Sequence, residues 1–275
     1  MMGGYMGQVL DVDLSSGDIR NYPLPEKTLA LYVGNKGLAA RLLYDLLEPG
    51  VDPLCPDNVL IVTTAPMTGT GAPSTNRFNV TTKSPLTGAI ADSNCGGNFG
   101  VYLKRAGYDA LIIRGRASQP VYLDICDDDI SIKDARELWG LDTEETQERF
   151  SKKTGMLVIG PAGENLVKYA CIISEERVAG RAGVGAVMGS KNMKAVVAAG
   201  SKRPQVAYPE QYKAACSSWR KILRSHPATG KEMPVYGTAI NINRTNATHT
   251  LPTCNYQYGS FDNAERISGE VLADK

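Results

Sequence analysis

The sequence predicts an α+β fold in which two similar β-rich halves, related by a pseudo-twofold axis, are followed by the start of a helical domain. Three observations carry this. Strand-like and turn-like segments fill the chain up to about residue 205, with short helices between them. Gly100–Gly115 lies over Gly185–Gly200 at a constant offset of 85 residues. After Lys202-Arg203-Pro204 the strands stop and a helical pattern takes over. The expected boundaries are 1–205 for the β-rich domain and 206–275 for the beginning of an incomplete second one.

Taken in order, Gln8–Leu14 alternates apolar and polar residues, Ser15-Ser16-Gly17-Asp18 is a turn cluster, and Ile19–Tyr22 returns, which predicts a hairpin. A helix follows. Its clearest part is Gly37–Leu47, where Leu38, Leu42, Leu43, Leu46 and Leu47 form one stripe before Pro49-Gly50. Asp57–Thr64 is a continuous apolar strand of the buried type, stopped by Ala65-Pro66. The Gly-, Thr- and Pro-rich loop Met67–Ser74 carries few core-forming side chains, and such loops are often functional. Strands at Arg77–Thr82 and Ala89–Asp92, a glycine loop, a short helix to Ala106 and a strand Asp109–Arg114 complete the first half. Val121–Ile125 and Ile130–Ile132 form a second hairpin around the solvated tip Asp127-Asp128-Asp129.

In the repeat, Gly100 pairs with Gly185, Leu103 with Met188, Ala110 with Ala195, Leu111-Ile112 with Val196-Val197, and Gly115 with Gly200. Upstream of each copy lies a strand ending in a proline loop, Val59–Pro66 and Met156–Pro161. Each half then reads strand, proline loop, strand, glycine loop, short helix, strand. Beyond it, Pro209–Arg224 and Asp262–Ala273 read as helices, too few to build a core of their own. Leu272-Ala273-Asp274-Lys275 carries no helix stop, so the chain reads as part of a longer protein.

Composition excludes several classes. With 43% hydrophobic and 21% charged residues the chain can build a core. With 30 Lys+Arg against 29 Asp+Glu, it lacks the charge of a nucleic-acid binder. No segment approaches the ~18 apolar residues of a membrane span, and Met1-Met2-Gly3-Gly4-Tyr5 lacks a basic leader. Six cysteines lie far apart, without CxxC, as expected of reduced thiols in a cytoplasmic protein.

Glycine numbers 28 and is clustered, which suggests backbone brought close to a ligand. A glycine loop entering a helix offers free N–H groups and a positive dipole end, a natural phosphate site. Arg77 follows the first such loop, and Arg177 and Arg181 lie within the second. A guanidinium fork meets phosphate bidentately. Gly180–Gly185 is a weak dinucleotide fingerprint, since no strand runs directly into it. No catalytic constellation is visible: His226 and His249 stand alone, and Asp92 and Glu164 read as lone carboxylates.

Four segments together are more specific: Thr68–Pro73, Arg77–Gly88, Ile159–Asn165 and Ala179–Asn192. In order and spacing, from Gly7 to about Gly200, they resemble the N-terminal domain of the tungsten-dependent aldehyde:ferredoxin oxidoreductases. A weaker match runs through Pro234–Ala239.

The resemblance implies a base domain that carries two pyranopterin dithiolenes around one tungsten (tungstopterin), a metal held by cofactor sulfurs and not by the protein. By position, Arg77 is expected between one pterin and the iron-sulfur cluster. Asn94 and Val178 are expected to offer backbone carbonyls to a magnesium ion that bridges the pterin phosphates. Gly96, Gly97, Arg177, Arg181, Gly183 and Gly185 are expected to bring backbone and charge to the phosphates and rings.

The family's cluster cysteines and its acid and histidine lie in later domains. The [4Fe-4S] cluster is therefore expected only in the missing part, and Cys95 and Cys254 do not match its ligands. The implied activity is oxidation of aldehydes to carboxylic acids with ferredoxin as acceptor, in company with the remaining domains or a partner subunit. Two alternatives stand beside it: the tungsten subunit of an aromatic acyl-thioester reductase, and a non-catalytic phosphate-cofactor-binding module when isolated. An apolar, glycine-lined face left open predicts self-association, a homodimer included.

Overall fold

A computed structural model describes residues 3–274. Two compact units divide the chain, Met1–Ala207 and Tyr208–Lys275. The first contains two six-stranded mixed sheets.

The first sheet is built from β1 (Val9–Asp13), β2 (Ile19–Tyr22), β3 (Leu60–Thr64), β4 (Phe78–Lys83), β5 (Ile90–Cys95) and β6 (Ala110–Arg114), in the order β2-β1-β6-β3-β4-β5. The second uses β7 (Val121–Cys126), β8 (Asp129–Asp134), β9 (Gly155–Val158), β10 (Ile172–Ser174), β11 (Arg177–Ala179) and β12 (Met193–Ala199), in the order β8-β7-β12-β9-β10-β11. The two orders are the same once strands are numbered within each half. The directions agree too: β1 with β6 and β7 with β12 are parallel, and the other neighbours antiparallel. The short repeat seen in the sequence is therefore one visible stretch of a full topological duplication.

Two helices lie between the sheets: α3 (Phe99–Ala106) follows β5, and α6 (Val184–Ser190) follows β11. They cross over. α3 packs on β9 and β12 of the second sheet, and α6 reaches β3 and β4 of the first. Gly155 makes this approach possible, because a Cβ there would lie 2.6 Å from the Phe99 Cα. The result is one shared core of Leu60, Val62, Phe78 and Phe99 with Leu157, Val187 and Val196, in which the Phe78 and Phe99 rings meet edge to face at 5.4 Å. Neither half buries this surface alone, so the halves fold as a pair.

The outer faces differ. The first sheet is covered by α1 (Glu26–Tyr32) and α2 (Asn35–Leu46), whose Leu38, Leu42 and Leu43 pack on Ile61 and Ile112. The second is covered by the six-residue α4 (Thr143–Glu148) and Phe150. Between β9 and β10 lies the short α5 (Pro161–Glu164).

Three details depart from the sequence expectation. β5 continues to Cys95, so Asn94 is a strand residue and not part of the glycine loop. Glu164 is not a lone carboxylate, since it is ion-paired with the fully buried Lys194 and accepts the Gly140 N–H. The helix expected over Asp262–Ala273 is a 3₁₀ turn, Ala264–Ile267, and a short helix, Gly269–Ala273. Ser268 separates them, its hydroxyl capping the second.

The second unit opens with α7 (Pro209–Ser225). Among its described residues burial reaches Cys216, Ala264, Ser268 and Gly269, while Trp219, Val235, Phe261 and Leu272 are exposed. Its own core is small. No helix among the described residues is long and apolar enough to cross a membrane.

Candidate ligand cleft between the two edge strands

β5 ends the first sheet and β11 ends the second, and these two edge strands come side by side. Hydrogen bonds tie the halves there. The Arg181 N–H donates to Ser93 Oγ (3.0 Å), Ser84 Oγ donates to the Ala182 carbonyl (2.7 Å), and Asn98 Nδ2 donates to Glu175 Oε2 (3.2 Å).

Above this seam lies an open cleft of about 540 Å³. Arg77, Asn94, Gly96 and Gly97 of the first half line it together with Arg177 and Val178 of the second. Ser74, from the end of the Met67–Ser74 loop, completes the wall with Asn76 and Glu176, which the sequence did not suggest. Six of the nine residues singled out from the sequence thus converge on one surface.

The registers sharpen this convergence. In the first sheet Ala110 pairs with Thr63, Thr63 with Asn79 and Asn79 with Asn94. In the second, Ala195 pairs with Val158, Val158 with Ile173 and Ile173 with Val178. Ala110 and Ala195 are partners in the repeat, so Asn94 and Val178 occupy the same position in the two halves. A ligand in the cleft would meet two equivalent strands.

Gly96 faces open space, with no atom within 4 Å of where its Cβ would stand, so a side chain there would enter the room above the floor. Gly97 has φ +95°, a conformation that glycine adopts without strain. Arg77 and Arg177 are exposed, and both lie near Cys95, opposing the rise that burial imposes on its thiol. Burial wins, and Cys95 is pushed up to about 11, with Glu175 adding to the rise. The thiol stays protonated at neutral pH and is a poor metal ligand.

The other three residues are placed differently. Arg181 is exposed but outside the lining, held by its N–H. Gly183 and Gly185 are buried. A Cβ at Gly183 would stand 2.0 Å from the Lys168 carbonyl oxygen, and one at Gly185 2.4 Å from that of Cys171. The Gly185 N–H already donates to the Ala170 carbonyl (2.9 Å). These glycines let α6 touch the preceding segment, and the Gly185 N–H has a backbone partner there.

The cleft's chemistry is that of an anion site: two guanidiniums, small backbone turns and polar side chains, with Glu176 as the one acid in the wall. Among the described residues no group of three or more His, Cys, Asp or Glu side chains could hold a metal. The donor set fits a phosphate-bearing cofactor.

Residues 9–200 match the family described as aldehyde ferredoxin oxidoreductase, N-terminal domain, and residues 214–275 match its domains 2 and 3. The chain belongs to the aldehyde ferredoxin oxidoreductase family. Tungsten-containing aldehyde ferredoxin oxidoreductases of Pyrococcus furiosus and Thermococcus kodakarensis are each 44% identical over 280 residues, covering 100% of this chain and 46% of the relative. An aliphatic sulfonate oxidoreductase, WOR-like subunit, of Pyrococcus furiosus is 35% identical over 96% of the chain. Among solved structures, the active-site complex BamBC of benzoyl coenzyme A reductase, with 1,5-dienoyl-CoA, matches 100% of the chain and 44% of its own with a TM-score of 0.84 and 33% identity. This member of the family thus spans about half the length of its curated relatives.

Proposed function

We propose that this chain is the N-terminal cofactor-binding part of a tungstopterin oxidoreductase that oxidises aldehydes to carboxylic acids and passes the electrons to ferredoxin. The observation that carries this reading is the cleft in which equivalent positions of two duplicated sheets meet between a pair of arginines. A cofactor with two similar pterin arms suits two similar walls.

When bound, the tungstopterin supplies the two-electron oxidation. The chain's residues bind and orient it. Arg77 and Arg177 meet its phosphates and polar ring edges with planar forks. Gly96 and Gly97 let the backbone come close. The carbonyls of Asn94 and Val178 would offer a magnesium ion the hard oxygens that suit that cation. Arg181 fastens the second half to β5 through Ser93, and Gly183 and Gly185 set α6 behind it. The [4Fe-4S] cluster, the substrate pocket and the ferredoxin contact belong to the remaining domains or a partner subunit.

The test is the tungsten and phosphorus content of the full-length protein, purified anaerobically. The reading expects tungsten with about two pterin phosphates per metal, and loss of both in Arg177→Ala. A folded full-length protein with neither element would overturn it. The match to the benzoyl coenzyme A reductase complex favours a second reading, reduction of aromatic acyl thioesters. A product assay with an aldehyde and with an aromatic acyl thioester separates the two.

A further inference from the structure

Asp92 lies two residues before Asn94 on β5, and its Oδ2 collects donors. Asn79 Nδ2 donates to it at 3.2 Å and Asn94 Nδ2 at 3.1 Å, and Lys36 Nζ of α2 stands 3.8 Å from the same oxygen. Asn79 is held in turn by the Thr81 hydroxyl, which donates to its Oδ1. Asn79 and Thr81 are 0% and 1% exposed. The network therefore has a buried foot in β4 and an exposed head, Asn94, at the rim of the cleft.

Among the described residues the second half has no carboxylate that gathers strand amides; its side-chain bonds are at the turn, where Gln147 Oε1 accepts the Glu175 N–H (2.7 Å) and Glu175 Oε2 accepts from Asn98. The counterparts of Asn79, Asp92 and Asn94 there are Ile173, Glu176 and Val178, by the register given above. There the strand is fixed another way. Ser174 pairs with Arg177, so a two-residue turn, Glu175-Glu176, pins β11 one residue from Val178. In the first half the hairpin runs on to the Lys83–Ile90 pair before it turns, far from Asn94. At this distance the turn does not fix Asn94, and on the open side of the edge strand side-chain hydrogen bonds add to the β4 ladder.

We propose that Asp92 is a positioning residue: it holds Asn94, and with it the β5 wall, in the place that a phosphate-bearing ligand requires, as the tight turn does for Val178. The inference rests on the reading of the cleft as a cofactor site. A charge-assisted acceptor that gathers neighbouring amides onto one oxygen is the kind of group that fixes a strand edge without touching the ligand.

The test uses the full chain with Asp92→Ala, Asp92→Asn, Asn94→Ala and the Ala/Ala double variant. Amide hydrogen exchange over residues 93–96 reads the strand, and calorimetric titration with magnesium chloride plus inorganic pyrophosphate reads the cleft. Asp92→Ala is expected to raise exchange at 93–96 by about 10-fold, with β1 and β6 unchanged, and to weaken pyrophosphate by about 10-fold. Asp92→Asn, which keeps an acceptor, is expected to stay within about 3-fold of wild type. The double variant is expected to bind no worse than either single one, because both changes cut the same link. Unchanged exchange at 93–96 in Asp92→Ala, a uniform rise across the whole first sheet, or additive losses in the double variant would overturn the proposal. Should the wild type bind no magnesium pyrophosphate, the cofactor reading fails, and the exchange measurement alone decides the role of Asp92.

Discussion

The two halves of the β-rich unit share strand order, strand directions and the register of the rows that end at Asn94 and Val178, yet they are finished with different materials. The first wraps its outer face in α1 and α2 and holds its edge strand with the Asp92–Asn79–Asn94 network. The second covers its face with a six-residue helix and holds its edge with a turn. Even the buried charges are exchanged: Asp109 precedes Ala110 in the first half and Lys194 precedes Ala195 in the second, each paired with a buried group of opposite sign. Strand order fixes where the cleft lies. The side chains added to each half decide how its wall is held.

The largest test of this comparison removes those buried acids. Glu164→Ala strands the Lys194 ammonium with only the Leu141 carbonyl, and Asp109→Ala strands Lys104 with the Gly4 carbonyl and also frees the N–H groups of Met6 and Gly7. Each is expected to cost about 3–5 kcal/mol in urea unfolding, Asp109→Ala the more. Replacing both members, as in Lys194→Met/Glu164→Leu, restores most of the loss.

The next compares glycines at matched positions. A Cβ at Gly185 meets the Cys171 carbonyl oxygen at 2.4 Å, whereas one at Gly100 meets only the Phe78 Cβ and Thr68 Cγ2 at 3.3 Å among its closest neighbours. Gly185→Ala is expected to cost about 3 kcal/mol and Gly100→Ala about 1 kcal/mol or less. Equal costs in denaturant melts would show that the halves pack alike here.

A smaller effect is read from pH. Lys191 is fully buried and donates to the carbonyls of Pro56, Asn58 and Gly115, and burial lowers its pKa to about 8. Between pH 8 and the ordinary lysine value the unfolded chain holds a proton that the folded chain has released, so stability rises with pH. Lys191 contributes about 1 kcal/mol between pH 8 and 9, and Lys191→Met removes that part of the slope. Cys95 acts with the opposite sign at higher pH, because its raised pKa makes the unfolded chain lose the proton first. The comparison is therefore made below pH 9.

Much of the fold was legible because it is written locally. The stripe Leu38, Leu42, Leu43 makes α2, and the alternation Gln8–Leu14 with its turn makes the first hairpin. What escaped depends on distance or on short polar segments. α4 has no apolar run, and its signal is the capping box of Asp142 and Glu145 alone. β10 and β11 have three residues each, too few for a period to show. Glu164 finds Lys194 thirty residues on, and Asn94 meets Asp92 and Asn79 only once the strands pair. At Gly183 and Gly185 a glycine that lets a helix touch a backbone looks, in sequence, like one that lets a phosphate approach. Residues carried over from the family resemblance that lie on the edge strands converge on the cleft, and those at the start of α6 are buried outside its lining.

The central claim is that arginines from both halves face one ligand across the seam. Calorimetric titration of the chain with magnesium chloride plus inorganic pyrophosphate, in wild type, Arg77→Ala, Arg177→Ala and the double variant, tests it most directly. The account predicts one site per chain, weakened about 10-fold by either substitution and abolished by both. Binding unaffected by one of the two arginines, or two independent sites that each lose one arginine, would contradict it.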